Sequence, residues 1–246
     1  MFAYLITLIS FILKPEKRKL IILSYKLKSK IGLEIGGPSA MFRLKGHFPV
    51  YLFAKRIDGV NFSTETVWEG KISEGRNYNY FKNKKGYQYI QEASELTNLP
   101  EAYDFLLSCH SLEHIANPIK ALKNWHRLLK PGGELILILP DKRNTFDILR
   151  PYTTMEHLIN DFKQNVTEYD TTHFDEILSN YSAEKNEGYS REKVGEVLKE
   201  NYTLRQAHHH VFNFETISEM LLFCGFKPTY QQAASPFHLI TIATRV

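Results

Sequence analysis

The chain has 246 residues, 43% of them hydrophobic and 13% aromatic, and 31 Lys and Arg against 27 Asp and Glu give a net charge of +4. That content suffices for a substantial core, suits one α/β domain with an insertion or a small second unit, and excludes a disordered or low-complexity chain. The cations are spread out, apart from Lys14-Pro15-Glu16-Lys17-Arg18-Lys19. They read as a solvated surface, and no nucleic-acid partner is expected. Cys109 and Cys224 sit in apolar runs, as buried thiols of a reducing compartment do.

Ala3 to Leu13 is apolar, and basic residues follow it. A secretory signal has its charges before the apolar run. The run is also shorter than the roughly 20 residues that span a bilayer. Residues 1–29 therefore read either as a helical segment packed on the domain or as a peripheral membrane anchor with basic residues at head groups. The expected location is cytoplasmic, with membrane contact through this segment as the sharper alternative.

Lys30 to Ser39 carries an apolar strand with Glu34 near its end, breaking into the turn Gly36-Gly37-Pro38. Glycines in such a turn let backbone approach a nucleoside-bearing ligand. Val50 to Ala54 reads as a second strand, leading into Arg56-Ile57-Asp58-Gly59-Val60-Asn61. Tyr87 to Ile90 is a third strand, and Tyr103 to Ser108 a fourth, apolar throughout as a doubly covered strand requires. Ile119 to Leu129 has helical periodicity and stops at Lys130-Pro131-Gly132-Gly133. Glu134 to Leu139 is a fifth strand, closed by Pro140-Asp141. Residues 142–207 are polar and helical in pieces. Phe214 to Phe223 is an amphipathic helix, and Pro236 to Thr244 the last strand. The fold class is α/β: a Rossmann-like, doubly wound, mostly parallel sheet with an inserted, mainly helical cap after the fifth strand. The expected units are a core at 30–141, a cap at 142–207 over the substrate pocket, and completion of the core at 208–246. An insertion leaving from the carboxyl edge of the strands is well placed to cover a ligand there.

Three motifs occur in order. They are Glu34-Ile35-Gly36-Gly37, then Ser108-Cys109-His110-Ser111-Leu112-Glu113-His114, then Leu128-Leu129-Lys130-Pro131-Gly132-Gly133. Together they resemble class I S-adenosylmethionine-dependent methyltransferases, in the large group with a Leu-Glu-His stretch and a Leu-Lys-Pro-Gly-Gly turn. The resemblance covers residues 31–141 and implies S-adenosylmethionine as cofactor. It implies that Glu34, Gly36, Gly37 and Pro38 hold the amino-acid part. Asp58 would hold the ribose hydroxyls, and Glu92 and Ala93 would read adenine. Ser108, Cys109 and His110 would line the methionine side, with His114 facing the same cavity. Pro38 and Ala40 stand where the fullest motif has glycines. That departure argues against a pyrophosphate cradle, and so against a nicotinamide dehydrogenase.

Methyl transfer from a sulfonium is an in-line displacement that needs alignment and, for a hydroxyl, a base. The candidate bases are His110, His114, Asp141, His173 and His210. The alternatives are that His114 caps the helix start or packs against the cofactor without proton transfer, that Asp141 orients the substrate or caps the next turn, and that His173 and His210 belong to a purely structural cluster. Lys142, Arg143 and Arg150 read as an ordinary solvated face or, as the sharper alternative, as a site for an anionic substrate. His208 and His210 would share a face of an extended segment, and with His173 could ligate a metal. No Cys and no spacing motif supports that, so no metal is expected. The leading reading is methyl transfer to a small-molecule or glycan-like acceptor at oxygen. The alternative is a catalytically silent binding module of the same fold, recognisable by a blocked pocket or a missing base.

Overall fold

The computed structural model describes residues 2–99, 102–185 and 189–246. Residue 1 of the N-terminal segment and residues 186–188 of the expected insertion lie outside them. Helices α1 (Phe2–Leu13) and α2 (Arg18–Lys26) precede strand β1 (Ile31–Ile35). A short helix α3 (Val50–Phe53) leads to β2 (Arg56–Asn61), and β3 (Glu65–Thr66) and β4 (Gly70–Lys71) form a small hairpin. Then come β5 (Gly75–Phe81), β6 (Lys84–Ile90), β7 (Tyr103–Cys109), α4 (Pro118–Leu128) and β8 (Leu129–Pro140). Helices α5 (Met155–Lys163), α6 (Phe174–Ser179), α7 (Arg191–Lys199) and α8 (Asn201–Leu204) occupy the insertion. Helix α9 (Phe214–Phe223) and strands β9 (Phe226–Ala234) and β10 (His238–Arg245) follow it.

The sheet has eight strands in the order β5-β6-β2-β1-β7-β8-β10-β9. The pairs β6·β2, β2·β1, β1·β7 and β7·β8 are parallel. β5, β10 and β9 each pair antiparallel with their neighbours. The mostly parallel α/β sheet expected from the strand–helix rhythm is thus the observed one. Its middle strands are buried on both faces, which is why they read as unbroken apolar runs. One face packs Trp125, Leu122, Ile119 and Leu221 over Leu33, Leu106 and Leu137. The other packs Leu20, Phe42 and Tyr51 over Phe105, Ile136 and Ile138. Asn117 caps α4, accepting from Lys120 N–H at 3.0 Å with Pro118 at the first turn, where a missing N–H costs nothing.

Two readings are corrected. Val50 to Phe53 is helical, not a strand; its residues are all buried, and a short apolar run has no periodicity to separate helix from strand. The second strand is the following segment, Arg56–Asn61. Strands β5 and β9 lie in segments to which the sequence pattern assigns no strand. β9 is a half-exposed sheet edge carrying Lys227, Pro228, Gln231 and Gln232, so it lacks an apolar signature and tolerates a proline.

Candidate active site

The carboxyl ends of β1, β2, β6 and β7 meet around a cavity of about 380 Å³. At the end of β1 the chain turns at Gly36, whose φ is +72° and whose N–H donates to Val60 O at 2.9 Å. A Cβ there would stand 2.3 Å from Ser111 Oγ. Conformation and close approach both demand glycine, and the bare backbone forms a wall of the cavity. Glu34 lies behind this turn, fully buried. Its carboxylate accepts from Ser39 N–H at 3.0 Å, from Tyr51 Oη at 2.6 Å and from Tyr78 Oη at 2.6 Å. Burial pushes the Glu34 carboxyl up to about 7, against the pull of those three donors. Glu34 therefore braces the turn and does not line the cavity. Pro38 does line it, whereas Gly37 faces a neighbouring depression with Tyr78.

Asp58, expected at the ribose, sits inside β2 and is 1% exposed. It accepts from Tyr87 N–H at 2.8 Å, Tyr103 Oη at 3.2 Å and Arg56 at 3.2 Å. The expectation failed because the second strand lies later than it was placed, so Asp58 falls mid-strand. Asn61 and Phe62 end the strand at the cavity. The acid on that wall is Glu69, in the hairpin turn; burial raises its carboxyl, with Arg43 opposing. Glu92 and Ala93, after β6, line the opposite side. Glu92 accepts from Ala93 N–H at 3.0 Å and from Arg205 at 2.9 Å. Ser108 is fully buried and outside the wall, while Cys109 and His110 belong to it. Burial raises the Cys109 thiol, which stays protonated.

The histidines divide. His110 Nε2 is 2.8 Å from His238 Nδ1, and its Nδ1 is 3.4 Å from Glu113 Oε1. Glu113 is fully buried, with His114 Nε2 at 3.9 Å and His208 also close by. His114 Nδ1 is 3.1 Å from Ala207 O. A carbonyl only accepts, so Nδ1 carries the proton and Nε2 the lone pair. Burial, with the nearby His208 charge, lowers His114 to about 4, so the ring is neutral at pH 7. Burial works against charge on His208 as well, yet the Asp147 carboxylate 2.6 Å from its Nδ1 raises it. Asp141 bonds Arg143 at the end of β8, outside the cavity wall, and that guanidinium lowers its carboxyl. His173 and His210 also lie outside it, buried beside His157 and Asp161. His208 and His210 do not share neighbours: the segment from His208 to Val211 is not a strand, so alternation fails there.

A second cavity of about 430 Å³ is lined by Trp68, His114, Phe146, Tyr181, Tyr189 and Leu198, among others. Trp68 and His114 belong to both cavities. No periodic pattern in the sequence marked Trp68, Glu69 and Arg205 as cavity residues, since the hairpin strands have two residues each and Arg205 follows a single helical turn. A lone Trp in a polar segment, 44% exposed, was the available signal.

The methyltransferase domain family matches residues 13–231 of this chain. An S-adenosylmethionine-dependent methyltransferase from Mesorhizobium loti is similar in structure over 94% of this chain and 96% of its own, with a TM-score of 0.54 and 12% identity. An S-adenosylmethionine-dependent methyltransferase from Methanosarcina mazei is similar over 92% of this chain and 97% of its own, with a TM-score of 0.50 and 16% identity. A highly reducing polyketide synthase of Emericella nidulans is 48% identical over 50 residues, 20% of this chain, and this chain spans about 2% of that protein's length. The structural likenesses show the fold, and the family match covers most of the chain. The chain belongs to the methyltransferase domain family, with the class I fold, and S-adenosylmethionine is its cofactor. The cavity fits that group: a side-chain-free turn, apolar Ile35, Val60 and Phe62, and the polar Asn61, Glu69 and Glu92.

Proposed function

We propose that this protein methylates an oxygen of a small-molecule or glycan-like acceptor seated between the β3–β4 hairpin and the helical cap. The observation that carries this reading is His114, which stands in the wall of both cavities with a free Nε2 lone pair. When bound, the cofactor supplies an electrophilic methyl group on a sulfonium and leaves as a thioether. In this reading the Gly36 turn, with Pro38, receives the amino-acid end. Asn61 and Glu69 take the ribose hydroxyls in place of Asp58. Glu92 and Ala93 border adenine, and Cys109 and His110 border the methionine chain. His114 Nε2 takes the proton of the acceptor hydroxyl, and the Glu113 carboxylate 3.9 Å away stabilises the imidazolium so formed. The aromatic faces of Trp68, Phe146, Tyr181 and Tyr189 suit a ring-shaped acceptor. Arg205, paired with Glu92 and with Glu168 at 2.7 Å, ties the cap to the cofactor side.

The test is transfer of a labelled methyl group from S-adenosylmethionine to pools of hydroxylated small molecules and glycans. His114→Ala is expected to cut transfer about 100-fold or more, the range of general-base catalysis, with cofactor affinity retained in calorimetry. Cofactor binding without transfer to any pool would favour the silent binding module. Label recovered on nitrogen would overturn the oxygen assignment.

A further inference from the structure

We propose that the cap holds one divalent transition-metal ion of the zinc class between His157, Asp161, His173 and His210. The inference is independent of the methyl-transfer reading and concerns residues outside the cofactor cavity. Helix α5 presents His157 and Asp161 four residues apart, on one face. His173 stands at the start of α6, and His210 on the segment that returns from the cap to the core. One ligand atom from each of the four lies within 4.8 Å of the others.

The spacing fits a tetrahedral ion. Bonds of about 2.0–2.1 Å set ligand atoms about 3.3 Å apart along a tetrahedron's edge. His157 Nε2 is 2.8 Å from His173 Nε2 and 3.2 Å from Asp161 Oδ2, and one ring nitrogen of His210 lies within 4.8 Å of the other three ligand atoms. The two short separations lie close to that edge.

Hydrogen bonding points the same way. His173 Nδ1 meets the Asp170 carboxylate at 2.9 Å. A carboxylate accepts, so the proton sits on Nδ1 and the lone pair on Nε2 points at His157. A carboxylate behind a metal-ligating imidazole is the usual arrangement of such sites. Asp161 is 5% exposed, yet its Oδ2 accepts no well-formed hydrogen bond from any described residue. His210 is 1% exposed; its Nε2 donates to Ala116 O at 3.1 Å, so its lone pair is on Nδ1, which has no partner among them either. Leaving two such atoms unmet inside the protein is costly, and a cation between the rings and the carboxylate removes the cost. Charge also balances: a divalent ion offsets Asp161 and Asp170 when the three rings are neutral.

Three imidazoles with one carboxylate suit zinc and its neighbours, whereas magnesium and calcium take oxygen ligands. Four protein ligands close the site, which makes it structural. It pins α5, α6 and the His210 segment beneath the start of α4. There the backbone runs from His114 through Ala116, whose carbonyl lies 3.1 Å from His210 Nε2. The set differs from the triad of His173, His208 and His210 suggested by alternation, because His208 is engaged with Asp147.

The experiment strips the full-length protein with dipicolinate and reloads it with Zn²⁺, counting bound metal by elemental analysis. Co²⁺ loading adds the visible absorption of a tetrahedral centre. The expected result is about one equivalent per chain, lost in His173→Gln and in the half-exposed His157→Gln, and kept in His126→Gln and His208→Gln. Zn²⁺ should also raise the melting temperature of the wild type and not of His157→Gln. Failure of the wild type to take up Zn²⁺ overturns the proposal. So does uptake unchanged in both His173→Gln and His157→Gln, and so does uptake lost in His208→Gln but kept in His173→Gln, which would move the ion to Glu113, His114 and His208.

Discussion

A methyl group on residue 36 would need a backbone at φ +72° and would meet Ser111 Oγ at 2.3 Å. Gly36→Ala is therefore expected to weaken S-adenosylmethionine binding at least tenfold, about 1.4 kcal/mol, in isothermal calorimetry. Asp58 leads to the opposite expectation. Its bonds to Tyr87 N–H, Tyr103 Oη and Arg56 hold β2, β6 and β7 together, away from the cavity. Asp58→Ala should cost roughly 2–4 kcal/mol of stability in urea denaturation, leaving cofactor affinity of the folded fraction unchanged. Glu69→Ala should do the reverse. Hydrogen bonding and burial at His114 also set a pH limit. A base must be neutral, and His114 becomes protonated only as pH falls through about 4. The acid limb of kcat/KM should lie near that value, and a limb near the ordinary imidazole value of 6.5 would exclude His114 as the base.

Helix α1 packs on α2 and leaves Leu5, Leu8, Ile9, Ile12 and Leu13 exposed, beside Lys14, Arg18 and Lys19. Among the described residues no helix is long and apolar enough to cross a membrane. An exposed apolar face with basic residues at its end is the arrangement of an interfacial helix. We expect the protein to sediment with anionic vesicles, and Leu8→Ser with Ile12→Ser to release it. The elements most legible in the sequence were those with a period, a stop signal or an unbroken apolar run: α4, which stops at Lys130-Pro131-Gly132-Gly133, α9, and the buried strands β1, β7 and β8. Helix α3, the β3–β4 hairpin and β9 were not legible. The first is apolar on every side, the second has too few residues for a pattern, and the third is a half-wet edge.

The Glu34 carboxyl links the fold to pH. Its folded value of about 7 exceeds the ordinary 4.5, so between these pH values the folded chain holds more protons than the unfolded one. This contribution to stability is complete below pH 4.5 and is lost as pH rises through 7. Glu168, likewise pushed up to about 7 by burial, acts in the same direction. Urea midpoints of the wild type should fall between pH 5 and pH 8, and Glu34→Gln should flatten the slope. The same carboxylate marks how far the chain alone can be read. The main buried strands, helices α4 and α9, the glycine turn and the acid beside it were legible from local pattern, because periodicity and turn chemistry are properties of neighbouring residues, and the cofactor class came from the resemblance of three ordered motifs to a known family. Which polar side chains face the cavity was decided only by tertiary structure. Glu34 is claimed by Tyr78, His110 by His238, His114 by Ala207, and Arg205 by Glu92, each a partner distant along the chain. The role of a buried polar group follows from which donors, acceptors and charges the fold brings against it, and those contacts exist only once the sheet and cap are assembled.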